Sequence, residues 1–218
     1  MRYRYLTFDC YGTLIDWRSG IERELRSAFG EIRITGQELL DSYVSAEKEQ
    51  ESTYKRYREV LRRTALSLSD KVGVAVTEES AIRFAASVPR WPPFADTRKF
   101  LDEMGARGYK RYILSNVDND LLEETIRGND LEVDGCVTAE DVGSYKPNHG
   151  HWIRFMQKTG AKKEDVLHVA QSVYHDIIPT QDLGIESAWI NRYDEPMPGG
   201  LHPLFVSDSL ENLSKLLD

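Results

Sequence analysis

The 218 residues carry 28 Lys and Arg against 36 Asp and Glu, with 40% hydrophobic and 29% charged residues. This suits a globular protein large enough for one α/β core plus an insertion, and the formal charge of −8 argues against a nucleic-acid groove. No stretch approaches the ~20 apolar residues of a membrane span, the start MRYRYLTFD lacks the apolar region of a signal peptide, and Cys10 and Cys136 form no metal-type pair. A reduced, cytoplasmic setting with neither nucleic acid nor membrane as partner is the expectation.

Taken in chain order, the first β-rich apolar run is Tyr5 to Phe8, followed by the polar turn Asp9 to Thr13. From about Arg18 to Val88 the texture changes to Glu, Arg, Lys, Ala and Leu with apolar residues at helical spacing. Ile21, Leu25 and Ala28-Phe29 make one stripe, and Leu39-Leu40, Tyr43, Val44 and Ala46 begin another. Gly30, Gly36 and Gly73 divide the segment into several helices. Trp91-Pro92-Pro93-Phe94 ends it, because consecutive prolines halt a helix and favour an extended link. Further apolar runs at Tyr112 to Leu114, Val166 to Ala170 and Ser187 to Ile190 alternate with helix-compatible segments, including a helix from about Asn148. The tail reads as a last strand at Phe205-Val206 and a helix with Asp208 as N-cap and Glu211 three positions on.

Strands alternating with helices predict a parallel sheet. The expected fold is α/β: a Rossmann-like, doubly wound core formed by residues 1–15 and 93–218, with residues 16–92 inserted as an α-helical cap.

In open parallel sheets, ligands bind beyond the carboxyl ends of the strands. The polar residues just past the strands are therefore the candidates. They are Asp9 to Thr13, Ser115-Asn116 and Gln171 to Asp176, joined by Lys146 in the loop Gly143 to Pro147. Two carboxylates, an ammonium and several hydroxyl and amide donors compose a nucleophilic site. The histidines 149, 151, 168 and 175 have no H-x-x-x-H spacing or cysteine partner, so no metal site is expected from them.

Phe8-Asp9-Cys10-Tyr11-Gly12-Thr13-Leu14, Leu114-Ser115-Asn116, Tyr145-Lys146-Pro147 and Ser172 to Asp176, in that order, resemble the four motifs of the haloacid dehalogenase superfamily. Within it the chain is most similar to type II 2-haloacid dehalogenases and relatives such as azetidine-2-carboxylate hydrolase. The resemblance implies Asp9 as nucleophile, Thr13 holding an Asp9 oxygen, Lys146 as the compensating charge and Asp176 polarising water. Ser115 and Asn116 would present donors to substrate or leaving group, Gln171 and Ser172 would position water or Lys146, and Tyr11 and His175 would line the pocket. The substrate expected is a small carboxylic acid substituted at C2, and a homodimer is one option for assembly.

The superfamily's phosphatases resemble Asp-x-Asp at the first motif and Gly-Asp-Ser at the fourth, where acidic residues serve Mg²⁺. Tyr11 and Gln171 stand in those two places here. Magnesium favours charged oxygen ligands, so the expectation is a metal-independent hydrolase without cofactor, and a Mg²⁺-dependent phosphatase is the contrasting alternative. By the same resemblance, Val44 falls where the dehalogenases carry a cap arginine associated with the departing halide, with Arg18, Arg56 and Arg58 as candidates to replace it. A ring-opening reaction expelling an amine, with Glu47, Glu49 or Glu51 facing a substrate ammonium, is therefore a second alternative.

Overall fold

A computed structural model describes residues 2–217. In chain order the elements are β1 (Tyr5–Phe8), α1 (Trp17–Phe29), α2 (Gly36–Gln50), α3 (Tyr57–Ser67), α4 (Ser69–Val72), α5 (Glu78–Ala85), α6 (Thr97–Ala106), β2 (Lys110–Ser115), α7 (Asn119–Gly128), β3 (Gly135–Thr138), α8 (Ala139–Val142), α9 (Gly150–Thr159), β4 (Val166–Ala170), α10 (Ile178–Leu183), β5 (Glu186–Ile190), β6 (Phe205–Ser207) and α11 (Leu210–Leu216). The chain divides into two compact units. One comprises Met1–Ile15, Pro93–Asn116 and Asp130–Asp218, and the other Asp16–Pro92 with Val117–Asn129.

The first unit is built on a six-stranded sheet in the order β3-β2-β1-β4-β5-β6, and every pairing is parallel. This is the doubly wound order, and the direction of winding reverses between β1 and β4. β1 and β4 are buried at every residue, which is why both read as mainly apolar runs, broken only by Thr7 and His168, and not as alternating ones. Tyr5, Leu114, Trp152, Phe155 and Val166 pack in one cluster, with the Tyr5 and Phe155 rings edge to face at 5.5 Å.

Two details differ from the sequence reading. β3 is a strand that pattern alone did not reveal: it is short, lies at the sheet edge and begins with glycine. The last helix is capped by Ser209, whose side chain accepts from the Asn212 amide, and not by Asp208. Asp208 instead accepts hydrogen bonds from the Ser209 hydroxyl and the Asn212 side chain. The glycines divide the helical segment as expected: Gly30 and Gly73 close α1 and α4, and Gly36 opens α2 with φ 56°.

The second unit is helical. Asp16 caps α1 by accepting from the Ser19 amide at 3.2 Å. Phe84 of α5 is fully buried and packs its ring against Tyr43 and Trp91, with centroids 6.0 and 6.5 Å away. Burial of such a ring contributes about 1.5–3 kcal/mol. Gly20 lies so close to Trp91 that a β-carbon would fall 2.4 Å from the indole. The sequence reading drew this insertion as residues 16–92; by packing, Val117–Asn129 joins it. The cause is hydrogen bonding across the sequence gap. Asp118 accepts from the Tyr57 and Arg58 amides at 2.8 and 2.9 Å, capping α3, and Asn129 donates to the Pro89 and Trp91 carbonyls. Among the described residues no helix is long and apolar enough to cross a membrane.

Candidate active site

The carboxyl ends of three neighbouring strands, β2, β1 and β4, deliver Ser115, Asp9 and Gln171. After Phe8 the chain turns sharply: the amides of Leu14 and Ile15 both bond to the Cys10 carbonyl, and Gly12 takes φ 107°. A β-carbon resists that conformation, so Gly12 lets the turn bring Thr13 back onto Asp9.

At the centre is a buried triad. The Lys146 ammonium donates to Asp9 Oδ1 at 2.8 Å, to Asp176 Oδ1 at 2.7 Å and to the Leu114 carbonyl at 3.0 Å. All three of its protons are thereby directed at protein oxygens. Lys146 is 2% exposed, Asp9 8% and Asp176 0%. Thr13 donates its hydroxyl to Asp9 Oδ2 at 3.0 Å and accepts the Gln171 amide at 2.9 Å, tying the first motif to the fourth.

Charge and burial set the protonation states. Burial pushes the Asp9 carboxyl above its ordinary range, helped by repulsion from Asp176 and opposed by Lys146. Burial acts on Asp176 in the same sense, but Lys146 and a hydrogen bond from His168 outweigh it and hold the group well below the usual carboxylate range. For Lys146, burial alone would favour the neutral amine, yet the charges of Asp176 and Asp9 raise it above the usual lysine value. An ammonium between two carboxylates leaves one net negative charge, and Asp9 is the less tightly held anion. A carboxylate in that state is a nucleophile.

The remaining candidates take distinct places. Ser115 is buried, its hydroxyl has no hydrogen-bond partner among the described residues, and its carbonyl lies 3.1 Å from His151 Nε2. Asn116 accepts from the Lys146 amide at 2.7 Å and donates to the Lys146 carbonyl at 3.2 Å, so its side chain clamps the backbone of the lysine. Gln171 turns its side chain toward Glu195 at 3.3 Å, and its carbonyl accepts the Trp189 indole N–H at 2.9 Å. Ser172 and His175 serve each other: the Ser172 hydroxyl lies 3.1 Å from His175 Nδ1 and caps the following turn by accepting the His175 amide. Tyr11 is half-buried on the turn and bridges to Ile15.

Three contributors lay outside the sequence reading. His168 contacts Asp176 Oδ1 at 3.0 Å. Arg192, at the end of β5, donates to the Thr13 carbonyl at 2.9 Å, pairs with both oxygens of Asp96 at 2.9 and 3.2 Å and stacks 3.8 Å over Phe94. Thr97 donates to the Leu14 carbonyl at 2.7 Å. Arg192 and Thr97 therefore brace the turn that carries Thr13. The polar pair Asn191-Arg192 just past a fifth strand was the available signal for Arg192.

Asp176 Oδ1 already accepts from both Lys146 and His168, and Gln171 supplies a neutral amide directed elsewhere. Among the described residues no three His, Cys, Asp or Glu side chains converge to hold a metal.

Fold and site together define a class, parallel-sheet hydrolases with an aspartate at the end of the first strand. A model of the haloacid dehalogenase-like hydrolase family matches residues 3–181, and the chain belongs to that family. It is similar to the (S)-2-haloacid dehalogenase of Pseudomonas fluorescens, 27% identical over 200 residues, which span 85% of this chain and 83% of that one. Among solved structures, the L-2-haloacid dehalogenase of Xanthobacter autotrophicus aligns over 99% of this chain and 98% of its own, with a TM-score of 0.85 and 18% identity. A magnesium-bound hydrolase of the same superfamily from Bacillus subtilis aligns over the full length of both, with a TM-score of 0.83 and 20% identity. Those two structures share the fold.

Proposed function

We propose that this protein is a metal-independent hydrolase that displaces a substituent, halide first, from Cα of a small 2-substituted carboxylic acid. The observation that carries the reading is the donor set around Asp9. An ammonium stands between two buried carboxylates, and Tyr11 and Gln171 occupy the places where the family's phosphatases resemble acidic residues. Similarity to (S)-2-haloacid dehalogenases over most of the chain supports the substrate class.

In this mechanism Asp9 attacks Cα in line with the leaving group, the carbon–halogen bond breaks and an ester forms on Asp9. The resemblance implies inversion at Cα. Water polarised by Asp176 then attacks the Asp9 carboxyl carbon. The tetrahedral oxyanion is stabilised by Lys146 and the Thr13 hydroxyl, which already address the two Asp9 oxygens. Collapse breaks the bond from the carboxyl carbon to the substrate oxygen and releases a 2-hydroxy acid, leaving Asp9 as a carboxylic acid whose proton passes to solvent to regenerate the carboxylate. The unengaged Ser115 hydroxyl is a donor for the substrate carboxylate.

The test is chloride release from racemic 2-chloropropionate in excess EDTA. Release that EDTA leaves unchanged supports the reading. Phosphate release from p-nitrophenyl phosphate that requires Mg²⁺, without dehalogenation, would replace it with the phosphatase alternative.

Val44, in the place of the dehalogenases' cap arginine, is apolar and exposed, and Arg56 and Arg58 direct their guanidinium groups to Asp118, Asp120 and Glu124. Turnover of azetidine-2-carboxylate without dehalogenation would replace the halide reading with the ring-opening reaction.

A further inference from the structure

The geometry points to His168 as a positioning residue for ester hydrolysis: it fixes the Asp176 carboxylate so that one oxygen remains open to the attacking water. This inference rests on the proposed Asp9 ester and concerns only its second step.

His168 is completely buried on β4. The parallel register sets it beside Thr7 of β1, and its Nδ1 lies 2.9 Å from the Thr7 hydroxyl. Its Nε2 lies 3.0 Å from Asp176 Oδ1, and Trp152 packs edge-on at 5.3 Å. A ring nitrogen facing a carboxylate oxygen must donate, so Nε2 carries the proton and Nδ1 accepts from Thr7. Strand register, a hydroxyl and an indole together lock the ring.

The consequence falls on Asp176. Its Oδ1 accepts from both Lys146 and His168, while its buried Oδ2 has no hydrogen-bond partner among the described residues. With Lys146 alone, the carboxylate could rotate and share both oxygens with the ammonium. The second donor, arriving from β4, fixes the carboxylate plane and keeps Oδ2 unshared. In the hydrolytic step, water attacks the Asp9 carboxyl carbon as its proton passes to Asp176 Oδ2. The bond from that carbon to the substrate oxygen then breaks, and the departing oxygen takes the same proton. Alkylation of Asp9 needs no such base, so His168 acts on one half-reaction and spares the other.

The experiment compares wild type, His168→Leu, His168→Gln and Thr7→Val with 2-chloropropionate as the probe, following rapid-quench chloride release and the intact mass of the protein. The expected result for His168→Leu is a chloride burst near one per site, then a steady rate about 10- to 100-fold below wild type, with the Asp9 ester accumulating. His168→Gln keeps an N–H donor and restores most of the rate; Thr7→Val, which removes the hydroxyl facing Nδ1 with a side chain of similar shape, falls between. A rate loss without accumulated ester, or no loss, overturns the role. Asp176→Asn is the control. If it traps the ester and His168→Leu does not, only the positioning role fails; if neither traps ester, the ester chemistry itself fails. Independently of substrate, ¹⁵N-histidine spectra should place the His168 proton on Nε2, and an Nδ1–H tautomer would also overturn the inference.

Discussion

Replacing Lys146 by Met removes the ammonium that contacts both Asp9 and Asp176, and the consequence is calculable in sign and scale. Three hydrogen bonds of 2.7 to 3.0 Å disappear, and two carboxylates that are 8% and 0% exposed are left together. Breaking a buried ion pair by deleting one partner costs about 3–5 kcal/mol, which for a chain of this size lowers Tm by about 6–20 °C. The loss depends on pH. In the wild type, the depressed Asp176 contributes stability above its unfolded pKa, and this is lost as pH falls toward the lower folded value. Raised Lys146 contributes fully below the ordinary lysine value and loses that contribution only above it. In the variant, the bare carboxylate pair is pushed upward and shares a proton, so its stability is greater at low pH and falls as pH rises through the raised folded pKa. The deficit of the variant should therefore be larger at pH 8 than at pH 5. Circular dichroism melts of both proteins at the two pH values measure it. A variant within 2 °C of wild type at pH 8, or a larger deficit at pH 5, would refute the reasoning; the threshold is roughly the shift from 1 kcal/mol or less.

Because Asp9 must be ionised to attack and burial raises it, kcat/KM should fall on the acid side at a pH above the ordinary carboxylate range. With Lys146 raised, no basic limb should appear below about pH 10; a pH–rate profile flat to pH 4, or falling near pH 7, contradicts this. Arg192→Met unpairs Asp96 and frees the Thr13 carbonyl, so urea unfolding should register a loss of about 2–3 kcal/mol, with kcat reduced through the slackened turn. Asp118→Ala removes the cap of α3 and should cost about 1–2 kcal/mol in the same assay.

Much of the architecture was legible because its signals are local. β1 and β4 are buried on both faces, and that condition wrote mainly apolar runs at Tyr5–Phe8 and Val166–Ala170, with Thr7 and His168 as their single polar members. The rule that polar residues just past parallel strands converge was enough to gather Asp9, Ser115 and Gln171. What escaped depends on partners distant in sequence or on competition between neighbours. His168 reads as a core histidine until the β1–β4 register puts Thr7 beside it. Arg192 and Asp96 are nearly a hundred positions apart and meet only through the sheet. Asn116 reads as a substrate donor, yet its amide matches the two backbone groups of Lys146. Asp208 and Ser209 both satisfy the N-cap preference, and only backbone geometry separates them. Asp118 sits just past a core strand in sequence but spends its carboxylate on α3.

The central claim is that an oxygen of Asp9 leaves with the product and is replaced from water. A single turnover with enzyme in excess in ¹⁸O-water, followed by mass spectrometry of the peptide containing Asp9 and of the hydroxy acid, measures this directly. The account predicts heavy oxygen in the Asp9 carboxylate and none in the first product formed. Labelled product alongside an unlabelled Asp9 would contradict it.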